Sequence, residues 1–317
     1  MHLTRRGFLQ GSLAAGAAAA AGRPVAARQQ AMNMHLRPAL VRGVQLGSPW
    51  KVGGFTKELQ DLSPEETARV ATELGWEGIE LPVRAKGHVL PERVDEDLPK
   101  MAAALKARNL DLMVLATDVR GVDPLSERVL RAAAKVGARM YRLGALRYRE
   151  GVPIPQQLNQ FRAQLKELAA LNQQLGLTGL IQNHSGNGYV GAVLWDAYDL
   201  VKDINPQQLG IHFDIGHATV EAGQSWPTSF ALVKDHIGAV IVKDFYWRHT
   251  PGKGSAVVWV PIGQGSIQPR FFTLLRASAF KGPMMMQWEY GFENTSLEAR
   301  MKVLRADTQQ LRAWLKA

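Results

Sequence analysis

The sequence predicts a (β/α)8 barrel in a single domain, and three observations carry that reading. Eight short apolar runs alternate with eight helical stretches along the chain. At 317 residues and 46% hydrophobic, the chain is long enough for one large core of this kind. Polar and titratable residues collect at the C-terminal ends of the apolar runs, where a barrel of this type presents its chemistry. No Walker loop interrupts the pattern, and a doubly wound open sheet is the alternative arrangement of the same elements.

The elements follow in order. Residues 41–46 (VRGVQL) read as the first strand. Ser63-Pro64-Glu65-Glu66 starts a helix, with Ser63 as N-cap, Pro64 in the first turn and Glu66 completing a capping box; that helix runs to about Leu74 and stops at Gly75. Residues 78–82 form the second strand, 97–108 a helix and 110–116 the third strand. A helix over 124–136 leads to the fourth strand at 140–143. A long helix over 155–175 ends at Gly176, and 177–183 is the fifth strand. A helix over 195–202 precedes the sixth strand at 210–214, and one over 226–234 precedes the seventh at 238–243. A Gly/Trp-rich loop follows, then a helix over 271–278, the eighth strand at 283–288, and a closing helix over 296–314.

The N-terminus carries a different signal. Thr4-Arg5-Arg6-Gly7-Phe8-Leu9-Gln10 precedes a weakly apolar Ala/Gly stretch and small residues near Ala26-Ala27. Residues 1–27 resemble a bacterial twin-arginine export signal, which implies the twin-arginine export machinery as a partner and a periplasmic or exported protein. Residues 28–40 read as a tether and 41–317 as the barrel. The apolar stretch is too short and weak for a stable membrane span. Net charge is +10; without Arg5, Arg6 and Arg23 it is +7, spread along the chain as a basic surface. No Lys/Arg run with interleaved aromatics marks a nucleic-acid track. The chain has no cysteine, which excludes thiol catalysis, thiolate metal sites and disulfides.

The stretch 209–223, LGIHFDIGHATVEAG, is the expected centre of the pocket: an apolar run climbs to Asp214, a glycine follows, and His217 comes three residues after the acid. Around it the strand ends supply Glu80, Arg142, Gln182-Asn183-His184, Lys243-Asp244, Gln287 and Glu289. Arg142 reads either as a substrate contact or as the ion-pair partner of Glu80. Among the tryptophans, Trp50, Trp226, Trp247, Trp259 and Trp288 serve either core packing or stacking against sugar faces. His184 precedes a glycine-rich loop, 186–191.

GWEGIEL, IQNHSG, FDIGHA, VKDF and QWEY, in this order and spacing, resemble the xylose isomerase-like TIM barrel superfamily, the sugar phosphate isomerase/epimerase group, over roughly residues 40–315. QNHSG with DIGHATVEAG, VKDFYW and PIGQG is similar to an exported branch of it. The resemblance implies one divalent metal, manganese-like, held by Glu, Asp, His and Glu on strands five to eight. Those positions are Gln182, Asp214, Ile241 and Glu289 here. The amide keeps an oxygen without the charge, and Ile241 has no ligating atom, so the metal set that remains is Asp214, Glu289 and Gln182. Lys243 shares a strand face with Ile241, which leaves two arrangements open: a metal ion, or the Lys243 ammonium in its place.

The resemblance implies a sugar isomerase or epimerase that abstracts a proton next to a carbonyl of an unphosphorylated sugar or keto-sugar. Glu289, His184 and Lys243 are the catalytic candidates, and Glu80, Arg142, Asn183, His217 and Asp244 the substrate-binding ones. A keto-sugar lyase or hydratase uses the same first step. A carbohydrate-binding barrel without metal or turnover is the non-enzymatic alternative. A DNA-repair endonuclease shares the barrel but needs a richer metal-ligand cluster than this chain offers.

Overall fold

A computed structural model describes residues 49–290, 292 and 295–316, all within one unit spanning residues 47–317. Eight strands close into a parallel barrel in the order β1-β10-β7-β6-β5-β4-β3-β2. They are β1 (Val52–Phe55), β2 (Gly78–Val83), β3 (Asp111–Thr117), β4 (Met140–Arg142), β5 (Thr178–Gln182), β6 (Leu209–Asp214), β7 (Ile237–Val242) and β10 (Met284–Met286). Helices α1 (Pro64–Glu73), α2 (Val94–Lys106), α3 (Pro124–Lys135), α4 (Ile154–Leu175), α5 (Trp195–Val201), α6 (Ile215–Ala222), α7 (Trp226–Val233), α8 (Arg270–Ala277) and α9 (Leu297–Lys316) complete the alternation.

Local sequence explains the boundaries. Ser63 caps α1: its hydroxyl accepts from the Glu66 amide while the Glu66 carboxylate accepts from the Ser63 amide, the reciprocal box expected. Asp123 caps α3 by accepting from the amides of Leu125 and Ser126.

The first strand differs from expectation. Residues 41–46 lie outside the described part, and the strand that closes the barrel between β10 and β2 is Val52–Phe55, VGGF. Its two glycines hide it from a reading based on apolar runs. They serve packing: a Cβ at Gly54 would stand 2.3 Å from the Trp76 indole.

The expected Gly/Trp-rich loop also has structure. Residues β8 (Asp244–Thr250) and β9 (Gly254–Val260) form an antiparallel hairpin directly after β7. The tight turn expected after Asp214 is the first turn of α6, which Asp214 caps by accepting from the His217 amide.

Alternation sorts the core into two layers. Val240, Val242, Met284 and Met286 face outward into the large cluster beneath the helices, with Tyr141, Phe213 and Phe271. Met113, Leu180, Ala239, Ile241 and Met285 face inward and fill the barrel interior. Each such fully buried aliphatic side chain contributes roughly 1.5–3 kcal/mol over its exposed state. The consecutive methionines 284–286 thus serve opposite faces. Above the inner apolar layer, the same strand faces turn polar.

Candidate active site

The polar layer begins with a closed ring of four side chains from four strands. The Arg142 Nε donates to Glu80 Oε1 (2.8 Å) and its Nη1 to Gln182 Oε1 (2.7 Å). Gln182 Nε2 donates to Gln287 Oε1 (3.3 Å), and Gln287 Nε2 to Glu80 Oε2 (2.9 Å). All four are buried. A guanidinium only donates, so the oxygen of Gln182 must face Arg142. Its NH2 therefore faces inward and also donates to Asp214 Oδ2 at 3.0 Å.

Asp214 stands where this ring meets the mouth and is fully buried. Its Oδ2 lies 3.1 Å from Lys243 Nζ, and Glu289 Oε1 lies 3.1 Å from the same nitrogen. The third partner of the ammonium is His217 Nε2, at 2.8 Å. Because Lys243 donates, Nε2 of His217 accepts, and Nδ1 carries the proton that it donates to Ser185 Oγ (2.7 Å). The indole of Trp259 flanks the cluster, 4.8 Å from Lys243 Nζ and 5.1 Å from the His217 ring. Gly216 permits this approach: a Cβ there would lie 2.9 Å from Lys243 Cγ and 3.2 Å from Asp214 Oδ1.

The charges follow from these neighbours. Burial raises the Glu289 carboxyl, but the Lys243 ammonium beside it outweighs burial and holds it below the ordinary value of 4.5. Burial, then the Lys243 charge, push His217 well below its ordinary value, so it is neutral. His184 is pushed down to about 3 by burial and by the neighbouring Arg142 and Lys243 charges. Its Nδ1 lies 3.2 Å from the Gln182 carbonyl, which only accepts, so Nε2 remains an acceptor. Tyr189 stacks on the His184 ring at 4.9 Å, and the Arg147 guanidinium lies 3.7 Å from the Tyr189 ring centre. The loop that carries Tyr189, GNGYVG, has the glycine spacing of a dinucleotide-binding turn, but it follows the fifth strand of a barrel and braces a histidine.

Residues 68–307 match the xylose isomerase-like TIM barrel family. The chain belongs to this family. This xylose isomerase-like barrel is similar to solved structures at low identity. One is 3-keto-D-glucoside 4-epimerase, YcjR, from E. coli: 18% identity, 84% of this chain and 98% of that chain covered, TM-score 0.62. A second is D-psicose 3-epimerase in the presence of D-fructose: 13% identity, 84% and 100% covered, TM-score 0.65. A third is a xylose isomerase-like TIM barrel protein from Mycobacterium smegmatis in complex with magnesium: 15% identity, 85% and 100% covered, TM-score 0.64. No curated protein matches the sequence.

The residues of this xylose isomerase-like barrel do not fit the divalent ion that the resemblance implies. A cation already stands between Asp214 and Glu289, in the form of Lys243 Nζ. Gln182 turns its NH2, not its oxygen, toward Asp214. Ile241 is fully buried in the inner apolar layer, one step below Lys243. Among the described residues, no group of three or more His, Asp or Glu converges in a way that could hold a metal.

The structure brings Asp214, His217, Lys243 and Glu289 together, with His184 beside His217 (ring centres 5.3 Å apart). It places the other expected residues differently. Glu80 and Arg142 are committed to each other in the ring. Asn183 binds both the amide and the carbonyl of Asp214 and so fixes the acid's backbone. Asp244 turns away into the base of the hairpin, where its two oxygens accept from the amides of Phe245, Gly263, Gly265 and Ile267. Of the tryptophans, Trp50, Trp226 and Trp288 are buried in the core, Trp247 is exposed, and Trp259 reaches the site.

Three residues join the site that the sequence reading passed over. Ser185 orients His217. Arg84, just past the end of β2, lies over the Phe55 ring at 5.4 Å from its centre. His212, two residues before Asp214 on the same strand face, is fully buried, and neither ring nitrogen has a hydrogen-bond partner among the described residues. Period-two spacing from Asp214 is the signal that points to His212.

Proposed function

We propose that this chain is a sugar isomerase- or epimerase-like enzyme that abstracts a proton next to the carbonyl of an unphosphorylated sugar or keto-sugar, with Lys243 as the cation that stabilises the oxyanion. One observation carries the reading: the buried Lys243 ammonium, 3.1 Å from both Asp214 and Glu289 at the mouth of the barrel.

The ammonium has three N–H bonds and three partners: Asp214, Glu289 and His217. Asp214 and His217 are buried, whereas the Glu289 side chain is 38% exposed. Glu289 is therefore the exchangeable partner. A substrate carbonyl oxygen displaces it from one N–H of Lys243 and leaves its carboxylate next to the carbon beside that carbonyl. Glu289 takes the proton, the C–H electron pair forms a C=C bond to the carbonyl carbon, and the carbonyl π pair moves onto its oxygen, giving an enediolate held by Lys243. Return of the proton to the other face of the same carbon gives epimerisation; return to the neighbouring carbon, after proton exchange between the two oxygens, gives isomerisation. Loss of a β-hydroxyl as water from the same enediolate gives the lyase outcome. Neutral His184 accepts a substrate hydroxyl through Nε2, and Trp259 offers an apolar face to the ring.

The test is solvent-deuterium exchange at the carbon next to the carbonyl, followed by NMR over a panel of unphosphorylated keto-hexoses and 3-keto-glycosides. Exchange is expected with the wild type, and Glu289→Gln should lower its rate by roughly 10²–10⁴. Because Glu289 titrates below 4.5, the acid limb of kcat/KM should lie below that pH. The carbohydrate-binding alternative is favoured by one observation, the full engagement of all three Lys243 donors. Sugar binding without exchange in any member of the panel would establish it and overturn the catalytic reading.

The export reading is part of the same proposal. Residues 1–27 would carry the folded barrel to the periplasm through the twin-arginine machinery; they lie outside the described residues. Cell fractionation should find the mature protein in the periplasm, and Arg5→Lys/Arg6→Lys should retain it in the cytoplasm. Cytoplasmic wild-type protein would refute export.

A further inference from the structure

Phe55 is the last residue of β1, and two guanidinium groups lie over its ring: Arg142 at 5.3 Å from the centre and Arg84 at 5.4 Å. The two differ in their partners. Arg142 is engaged by Glu80 and Gln182 in the ring. Arg84 is half-buried, and no carboxylate among the described residues lies within ion-pair distance of it or accepts a hydrogen bond from it.

The carboxylates whose charge reaches Arg84 are Asp118, Glu80 and Glu289. Each has other partners. Asp118 accepts from the Ala85 amide, Glu80 from Arg142 and Gln287, and Glu289 from Lys243. Burial, then the neighbouring Arg142 charge, push the Arg84 guanidinium below its ordinary value. A cation held half out of water beside a second cation is costly unless a counter-charge arrives. Arg84 follows the last residue of β2, at the C-terminal end of the strands; it shares the Phe55 ring with Arg142, and the Glu80 and Glu289 charges reach it.

We propose that Arg84, seated on Phe55, is a subsite for the carboxylate of an acidic sugar, so that the substrate class of this barrel is a uronate or related sugar acid rather than a neutral hexose. This rests on the carbohydrate reading of the Lys243–Glu289 site given above. The planar fork of the Arg84 guanidinium, which has no carboxylate partner among the described residues, matches a carboxylate in bidentate geometry. A phosphate fits the same fork, but one guanidinium charge balances a monoanionic carboxylate and leaves a phosphate dianion with surplus charge in a half-buried place. The acid group at Arg84 anchors one end of the sugar while the carbonyl end reaches Lys243 and Glu289, and no bond to the carboxylate forms or breaks.

The experiment is binding by titration calorimetry and saturation-transfer NMR with the full chain, using a panel of hexuronates, the matching neutral hexoses and the matching hexose 6-phosphates. At least one uronate is expected to bind about tenfold or more tightly than its neutral counterpart, and more tightly than the 6-phosphate. Arg84→Gln should collapse the uronate-to-hexose ratio to below about twofold, and Arg84→Lys should leave part of it. Equal binding of uronate and hexose by the wild type overturns this subsite and leaves the carbohydrate reading intact. Preference for the phosphate, or a uronate preference that survives in Arg84→Gln, also overturns it. Failure of every sugar to bind overturns both. The wild-type comparison decides the matter even where a variant does not fold.

Discussion

His212 is a buried polar side chain in the barrel interior with no hydrogen-bond partner among the described residues. Burial, then the nearby Arg142 charge, lower its pKa from 6.5 to about 3, so it is neutral in the folded protein over the whole physiological range. In the unfolded chain it takes up a proton below about pH 6.5. The unfolded state then binds more protons than the folded one, so stability falls as pH drops from 6.5 toward 3. Between pH 6.5 and 5 this one residue costs about 2 kcal/mol. His212→Leu removes both the titration and two unsatisfied nitrogens for a side chain of similar volume. Urea unfolding should give a variant more stable than wild type by about 1 kcal/mol at pH 7, with a gap that widens at pH 5. A variant less stable at both values would mean that the imidazole has a partner.

At the scale of elements, the hairpin is the addition that distinguishes this barrel from a plain eightfold alternation. It places Trp259 against the Lys243–His217 pair, while Tyr246 and Trp247 on its other strand are 40% and 48% exposed. Asp244 fastens its base by accepting from four backbone amides, three of which belong to the segment after β9. In Asp244→Ala those amides lose a charged acceptor in a buried place, a loss of roughly 3 kcal/mol. Thermal unfolding should register that loss. Sugar binding should weaken with it, because Trp259 loses its seat. A variant with a lowered melting temperature and unaltered sugar affinity would separate the hairpin from the site.

At the scale of the whole molecule, the ring of Glu80, Arg142, Gln182 and Gln287 ties β2, β4, β5 and β10 across the barrel interior. Arg142→Met leaves the fully buried Glu80 without its counter-charge, and breaking such a pair costs about 3–5 kcal/mol. Chemical denaturation should show a loss of that size, larger than any surface ion pair of this chain would give. If the loss is under 1 kcal/mol, water has entered the ring.

The barrel itself was legible in the sequence because apolar runs, caps and breakers are local signals. Ser63, Gly176 and the outward Val240 and Val242 all behave as their local pattern predicts. The exceptions are instructive. VGGF reads poorly as a strand because its glycines answer to distant residues: Gly54 to Trp76, 22 positions away, and Gly53 to the Gly78 carbonyl and Met285. The hairpin reads as a loop in sequence because its aromatic and glycine content carries no sign of the pairing between β8 and β9. At the site, strand ends fixed which residues reach the mouth, but not their partners. Lys243 between Asp214 and Glu289 was one of two arrangements the sequence left open, and Asp244 follows it in sequence yet faces the hairpin. Partner choice depends on side chains brought together from strands far apart in the chain.

The ring has one more consequence, for the order in which such a barrel can change. A metal-type carboxylate at position 182 would meet Asp214 with its like charge while Lys243 still filled the place of an ion, and would present no N–H to Gln287. Removing Lys243 first would leave Asp214 and Glu289 facing each other bare. A change at 182 and a change at 243 therefore each disturb the partners of Asp214, and the two positions are linked through that one carboxylate.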